Sequence, residues 1–289
     1  MSIQDTIRER VAKDYAKVVS ASSSGPCCGG EVEQKGVAAK LGGYTADELK
    51  SLPADAVVNS FGCGNPVAFS GVKEGDVVVD LGSGAGIDIL LAAKKVGPTG
   101  RVIGIDMTDE MIERANENIK AAGLTNVEVR KGLIEEMPVE SGTVDWVISN
   151  CVINLSPEKD RVFAEIARVL KPGGKMAVSD IVVQNLPEWA RNDPRLYSGC
   201  IAGAVSEEEY VEGLNKAGLR EVEVIDRVVY NVDQIATFVE SEMPADEAGS
   251  DCTCGCGSAD EDLAQDIGED MAGSVWSAFF MATKPAEAG

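Results

Sequence analysis

Eight cysteines and no histidine stand in a chain of 289 residues. Cys27 and Cys28 lie in S-A-S-S-S-G-P-C-C-G-G, and Cys63 in S-F-G-C-G-N-P. Cys151 lies in S-N-C-V-I-N-L-S-P-E, Cys200 in S-G-C-I-A-G-A, and Cys252, Cys254 and Cys256 in D-C-T-C-G-C-G-S. Without histidine there is no Ser-His-Asp triad, no Cys-His nucleophile pair and no histidine-ligated zinc. A thiolate, by contrast, is itself a nucleophile and a ligand for soft metals. The N-terminus is charged and has no apolar signal core, so a cytoplasmic protein is expected. There a structural disulfide framework is unusual. Thiol chemistry or soft-metal binding is the better reading of the eight cysteines.

Three of them stand out. A lone cysteine is most often a small buried hydrophobe. Cys151, however, falls at the end of a buried strand and not in its middle. Cys63 and Cys200 fall in glycine-bearing loops, where the backbone can approach a bound group closely. Three thiols from three loops predict a soft, three-coordinate ligand. Arsenic(III) has that character: it is thiophilic and pyramidal, with a lone pair left over. The C-x-C-x-C run reads as a separate soft-metal capture or delivery loop for arsenic, zinc or copper(I), against incidental thiols in a linker.

The elements that must position these groups follow from periodicity. Ile3, Ile7, Val11, Tyr15, Val18 and Val19 have amphipathic helical spacing. T-A-D-E-L-K-S-L predicts a short helix. From residue 76 the pattern changes. D-V-V-V-D-L, R-V-I-G-I-D, N-V-E-V-R, V-D-W-V-I-S-N and K-M-A-V-S-D-I-V-V read as strands. Such short apolar runs mark strands buried on both faces. Helices between them run from Ile87, from an N-cap at Thr108 to Gly123, and from Pro157 to a stop at Lys171-Pro172-Gly173-Gly174. Ser206 and Glu209 form a capping box for a later helix. A strand over 221–230 pairs antiparallel with the closing S-V-W-S-A-F-F-M-A-T-K. The fold class is therefore α/β: a doubly wound, mostly parallel Rossmann-like sheet with an antiparallel C-terminal strand and added substrate-binding loops. Three regions are expected. Residues 1–70 cover the active site, 71–183 form the cofactor-binding core, and 184–289 form a substrate region with an acidic segment at 241–270. Trp146, Phe279 and Phe280 read as core, and Glu135, Glu136 and Glu207–Glu209 as solvated faces.

D-L-G-S-G-A-G over 80–86 follows a strand and opens a helix, the setting of a nucleotide-binding turn. Asp106 ends the next strand, 20 residues past Gly86, where an acid can take both ribose hydroxyls. Asp80 beside the loop would repel a phosphate. It suits a nucleoside ligand with a free ammonium and no phosphate, and S-adenosylmethionine is such a ligand. The site residues expected here are Asp80, Gly82, Ser83, Gly84, Gly86 and Asp106, with Asn150 beside Cys151 placed to hydrogen-bond in the crevice.

V-D-L-G-S-G-A-G, I-G-I-D-M-T-D-E-M and V-L-K-P-G-G resemble class I S-adenosylmethionine-dependent methyltransferases. That resemblance implies that Asp80, Gly82 and Gly84 line the methionine end, Met107 packs on adenine, and Leu133 and Ile134 form the far wall of its pocket. Y-A-K-V with C-C, G-C-G-N-P, S-N-C-V-I-N-L-S-P-E-K and L-Y-S-G-C-I-A-G-A resemble arsenite methyltransferases more narrowly, over about residues 8 to 230. This second resemblance implies that Cys151 and Cys200 hold arsenic beside the methyl donor, with Cys63 as third ligand. It also implies a transient disulfide between Cys63 and one of Cys27 and Cys28. The arsenic lone pair would take the methyl without a general base, and proximity would supply most of the catalysis. A thiol reductant, glutathione or a thioredoxin-like protein, would restore the cysteines. The substrate would be arsenite or its thiol conjugates.

Charge limits the partners. The net charge is −22 and the pI about 4.4, with no Lys/Arg cluster for nucleic-acid phosphates. No apolar run is long enough to cross a membrane, and a monomer is expected. Two rival readings remain at this point. One is a carbon methyltransferase of quinone-type biosynthesis, which 5% aromatic content and thiol-bearing loops oppose. The other is a non-catalytic soft-metal-binding protein, which the intact glycine loop and Asp106 oppose.

Overall fold

A computed structural model describes residues 2–20, 42–192, 196–197, 199–235, 271 and 273–286. Cys27, Cys28, Cys252, Cys254, Cys256 and the acidic segment 241–270 lie outside the described residues.

The apolar runs form one seven-stranded sheet: β1 (Val77–Leu81), β2 (Arg101–Asp106), β3 (Val127–Lys131), β4 (Val144–Asn150), β5 (Leu170–Val183), β6 (Arg220–Val229) and β7 (Val275–Thr283). Their order across the sheet is β3-β2-β1-β4-β5-β7-β6. β1 to β5 pair in parallel. β7 slots antiparallel between β5 and β6. Its pairing with the 221–230 strand is the expected one. Its long ladder with β5, from Lys175↔Thr283 to Val183↔Val275, was not legible in the pattern.

Period-two alternation sorts the strand residues onto two faces. Val79, Leu81, Ile103, Ile105 and Val147 face one core with α7 (Lys159–Val169) and α9 (Glu207–Lys216). Val78, Val102, Trp146, Ile148 and Phe279 face the other with α5 (Ile87–Val96) and α6 (Asp109–Ala121). Tyr210 stacks on Phe280 at 4.1 Å between ring centroids, and Phe163 meets Tyr210 edge-on at 5.1 Å. Aromatic pairs of this kind add about 1 kcal/mol each beyond area burial. Trp146, Phe279 and Phe280 are core, as read from the sequence.

The N-terminal elements are α1 (Ile3–Ser20), α2 (Ala46–Lys50), α3 (Ala54–Val58) and α4 (Pro66–Phe69), and α8 (Glu188–Asn192) follows β5. Both predicted capping motifs differ in outcome. Ser206 and Glu209 close a capping box on α9. Thr108 sits at the N-cap of α6 without a side-chain cap bond, and its N–H donates to Asp106. Helix α7 ends at Val169, just ahead of the expected stop, and the Lys171–Gly174 stretch itself lies inside β5, where Leu170 pairs with Val144 ahead of a register shift.

The strand order reverses between β1 and β4. Ligands of open α/β sheets bind outside the carboxyl ends at such a point.

Candidate functional site

The turn after β1 opens that crevice. Gly82, Gly84 and Gly86 take φ of 63°, 51° and 103°, a left-handed run that a side chain resists. At Gly82 a Cβ would also collide with Val152. Asp106 ties the turn from the next strand. Gly84 N–H donates to its Oδ2 and Thr108 N–H to its Oδ1, each at 2.9 Å.

A cleft of about 960 Å³, open at its mouth, runs along these residues. Every expected cofactor residue lines it: Asp80, Gly82, Ser83, Gly84, Gly86, Asp106, Met107, Leu133, Ile134 and Asn150. Arg8, Val11 and Tyr15 of α1 lie across it. Burial and the nearby Asp88 and Asp106 push the Asp80 carboxyl well above the usual range. Burial lifts Asp88 to about 6, against hydrogen bonds from Asn150 and Tyr44. Burial also raises Asp106, against the N–H donors that pull it down. Three acids are buried together in one cleft, and a ligand with an ammonium and a sulfonium would compensate their charge. The buried hydroxyls of Ser60 and Ser83, also on the cleft wall, have no hydrogen-bond partner among the described residues. The residues therefore fit S-adenosylmethionine: acids for its cationic end, Asp106 for the ribose, and Met107, Leu133 and Ile134 for the base.

The cysteines meet at the end of β4. Cys151 lines the cleft. Its backbone turns left-handed, with φ 62°, and its N–H still donates to Ser179 O at 2.8 Å. Cys63 and Cys151 are joined in a disulfide with a Cα–Cα distance of 5.8 Å. Cys200, also left-handed at φ 58°, donates its thiol to Cys151 O at 2.7 Å. All three sulfurs belong to one apolar cluster with Ile181, Leu186, Leu196 and Ile201. The structure thus brings the three expected ligands together. It does not show them as an open thiolate set. Among the described residues no three such side chains are poised around a metal, because two of the sulfurs are bonded to each other. The disulfide implied by the resemblance, from Cys63 to Cys27 or Cys28, falls on residues outside the described set; here the partner of Cys63 is Cys151.

The glycines flanking Cys63 serve neighbours, not a bound group. A Cβ at Gly62 would collide with the Asn150 carboxamide, and one at Gly64 with Ser179. Asn150 reads the Gly64 peptide from both sides. Gly64 N–H donates to Oδ1 at 3.1 Å, and Nδ2 donates to Gly64 O at 2.7 Å.

Several residues here carried no clear sequence signal. Glu135, expected on a solvated face, is 5% exposed. Arg8 donates to it at 3.0 Å and Ser156 at 2.7 Å, so α1 buries it. Arg8 also pairs with Glu158. Tyr44 donates to Asp88 at 2.8 Å. Behind Cys200, the Asp180 carboxyl is buried and pushed up to about 7, with the Lys159 charge opposing the rise. Burial pulls Lys159 down to about 8, with the Asp180 and Cys200 charges opposing the fall. Asp88 alone had a local cue, an acid in the first turn of α5 just past the glycines.

The methyltransferase domain family matches residues 72–218. An arsenic(III) S-adenosylmethionine methyltransferase from Chlamydomonas reinhardtii superposes with a TM-score of 0.64 at 31% identity, over 84% of this chain and 73% of that one. The chain belongs to the arsenite methyltransferase family. The arsenite methyltransferase of Halobacterium salinarum is 42% identical over 252 residues, 83% of this chain and 62% of that protein. The chain therefore spans less than two thirds of that relative's length. A demethylmenaquinone methyltransferase of Listeria welshimeri is 34% identical over 118 residues, 41% of this chain and 50% of that protein. Among the described residues no helix is long and apolar enough to cross a membrane.

Proposed function

We propose that this member of the arsenite methyltransferase family moves a methyl group from S-adenosylmethionine to arsenic(III) held by Cys63, Cys151 and Cys200. The observation that carries the reading is Cys151, which lines the acid-walled cleft while contacting both other cysteines. When bound, S-adenosylmethionine supplies an electrophilic methyl on a sulfonium. Asp80 and Asp106 would hold its charged and ribose ends. The apolar cluster around the sulfurs excludes water from the thiolate side. Cys63, Cys151 and Cys200 would present the arsenic lone pair to that methyl, so that the As–C bond would form as the S–CH3 bond breaks without a general base. The aligned geometry lowers the barrier by pre-ordering the reactants.

The disulfide supports an earlier, reductive step. Two glutathione thiols, or a thioredoxin-like dithiol, reduce Cys63–Cys151 to two thiols and leave as a disulfide. Arsenite or its thiol conjugate then exchanges onto the freed cysteines. The setting is the cytoplasm and the working unit a monomer, in keeping with a chain so acidic and rich in thiols.

The deciding experiment is arsenic speciation after incubation of the purified protein with arsenite, S-adenosylmethionine and glutathione. Methylated arsenicals are expected, and Cys151→Ser or Cys200→Ser should abolish them while calorimetry still shows cofactor binding. Activity that survives both changes refutes the thiolate model. Cofactor binding without any methylated arsenical points to the carbon-acceptor reading.

A further inference from the structure

The Asn150 carboxamide stands between the two halves of the site. On one side it holds both polar groups of Gly64, next to Cys63. On the other, Nδ2 lies 2.9 Å from Tyr44 Oη and 3.1 Å from Asp88 Oδ2. The Gly64 N–H faces Oδ1, and this fixes the orientation of the amide. Cys151 is the next residue in the chain.

Counting donors exposes the point. A carboxamide has two N–H hydrogens, yet three acceptors crowd Nδ2: Gly64 O, Tyr44 Oη and Asp88 Oδ2. The Tyr44 hydroxyl gives its own hydrogen to Asp88 Oδ1, so toward Asn150 its oxygen can only accept. One acceptor is always underserved. Asp88 is also a wall of the cofactor cleft. A cation bound there competes for the Asp88 lone pairs and leaves both amide hydrogens to Gly64 O and Tyr44 Oη.

We propose that Asn150 is a positioning residue that couples cofactor binding to the placement of Cys63 beside Cys151. The inference rests on the reading of the cleft as an S-adenosylmethionine site. With cofactor bound, the amide grips the Gly64 peptide more firmly and raises the effective concentration of one thiol at the other. The methyl donor thereby draws the two sulfurs together, which favours the disulfide under oxidising conditions and a chelating pair of thiols once they are reduced. Gly62 and Gly64 are required because side chains at those positions would push Asn150 and Ser179 away.

The test uses the full-length protein without arsenic. The Cys63–Cys151 pair is equilibrated with glutathione buffers, so that one protein disulfide and two glutathione thiols exchange with two protein thiols and one oxidised glutathione. Peptide mapping after alkylation reads the fraction bonded. In the wild type, saturating S-adenosylmethionine should shift the equilibrium toward the bonded pair by about tenfold, about 30 mV. Asn150→Ala should weaken pairing and lose the cofactor response at a cofactor concentration that calorimetry on the variant shows to be saturating. Tyr44→Phe removes one of the three acceptors and ends the competition, so it too should lose the response; it keeps the ring and guards against a misfolded Asn150 variant. A wild type that binds cofactor without a shift overturns the coupling, as does Tyr44→Phe with its full response. A wild type that shows no cofactor binding in calorimetry overturns the underlying reading of the cleft instead.

Discussion

Asp80→Asn removes one of three buried carboxylates from the cleft and keeps the side chain's volume. Two quantities should move in opposite directions. The first is cofactor affinity. A carboxylate and an ammonium in contact, about 4 Å apart, attract by about 4 kcal/mol at an effective dielectric of 20. Residual solvent and the amide's remaining hydrogen bond cut this to between about 2 and 4 kcal/mol. Affinity should therefore fall by about 30-fold to 1,000-fold.

The second quantity is stability without cofactor. The Asp80 carboxyl is 2% exposed, and burial with Asp88 and Asp106 raises its folded-state value well above 3.8. In the unfolded chain it loses its proton near that ordinary value, while the native state retains it to higher pH. Over the window between the two values the native state binds more protons, so stability falls as pH rises. Above the folded value the whole loss has been incurred. The asparagine variant never incurs it. At pH 8 it should melt at a higher temperature than the wild type, and at pH 4 the two should converge. Calorimetric binding and thermal melts at both pH values read this out. Affinity within threefold of wild type, or a lower melting temperature at pH 8, would refute the electrostatic account of the cleft.

Two further outcomes follow from the same contacts. Asp88 is lifted to about 6, and a cationic ligand favours its ionised form. Cofactor binding should release a proton below that value, with affinity climbing up to about tenfold per pH unit from pH 5 and levelling above pH 7; calorimetry in buffers of different ionisation enthalpy measures both, and a flat profile removes Asp88 from the binding site. Arg8→Ala leaves Glu135 buried with the Ser156 hydroxyl and the Lys159 charge. Breaking a buried pair costs about 3 to 5 kcal/mol, and the remaining hydroxyl and the partly exposed Glu158 reduce that to about 2; urea unfolding should show this loss, together with faster cofactor dissociation as α1 loosens over the cleft.

The acid-walled cleft was legible because its signals are local. A strand buried on both faces reads as an unbroken apolar run, so D-V-V-V-D-L located β1 and, with it, the glycine turn and Asp80. Asp106 followed from the next strand end. The thiol half was legible only as three cysteines in three loops. Their convergence, with Cys63 and Cys151 separated by 88 residues, is a property of the β4 terminus that no local spacing encodes. Glu135 was misread for the same reason: the residue that buries it, Arg8, lies 127 positions away. Tyr44 left no trace, since its partner Asp88 sits on the far side of β1 in the chain. Gly62 and Gly64 were noticed, but the reason was different. The close approach they permit is made by Asn150 and Ser179.

The backbone at the thiols carries information that burial alone does not. Cys151 and Cys200 are both left-handed without being glycine, a state that costs about 1 to 3 kcal/mol per residue and persists only where surrounding structure enforces it. Enforcement is visible at both. Cys151 keeps its ladder bond to Ser179 O, which holds its nitrogen in the sheet while its carbonyl swings toward Cys200. Cys200 N–H is held by Tyr197 O at 3.1 Å. An inert core cysteine would gain nothing from such a conformation, and an extended one would continue the strand at no cost. The left-handed turn instead ends β4 at the cleft and directs the Cys151 carbonyl toward the other thiol-bearing loop. Two neighbouring cysteines held in the same unfavourable conformation fit selection for where the sulfurs lie, because glycine would relieve the backbone at each position at the expense of only the sulfur.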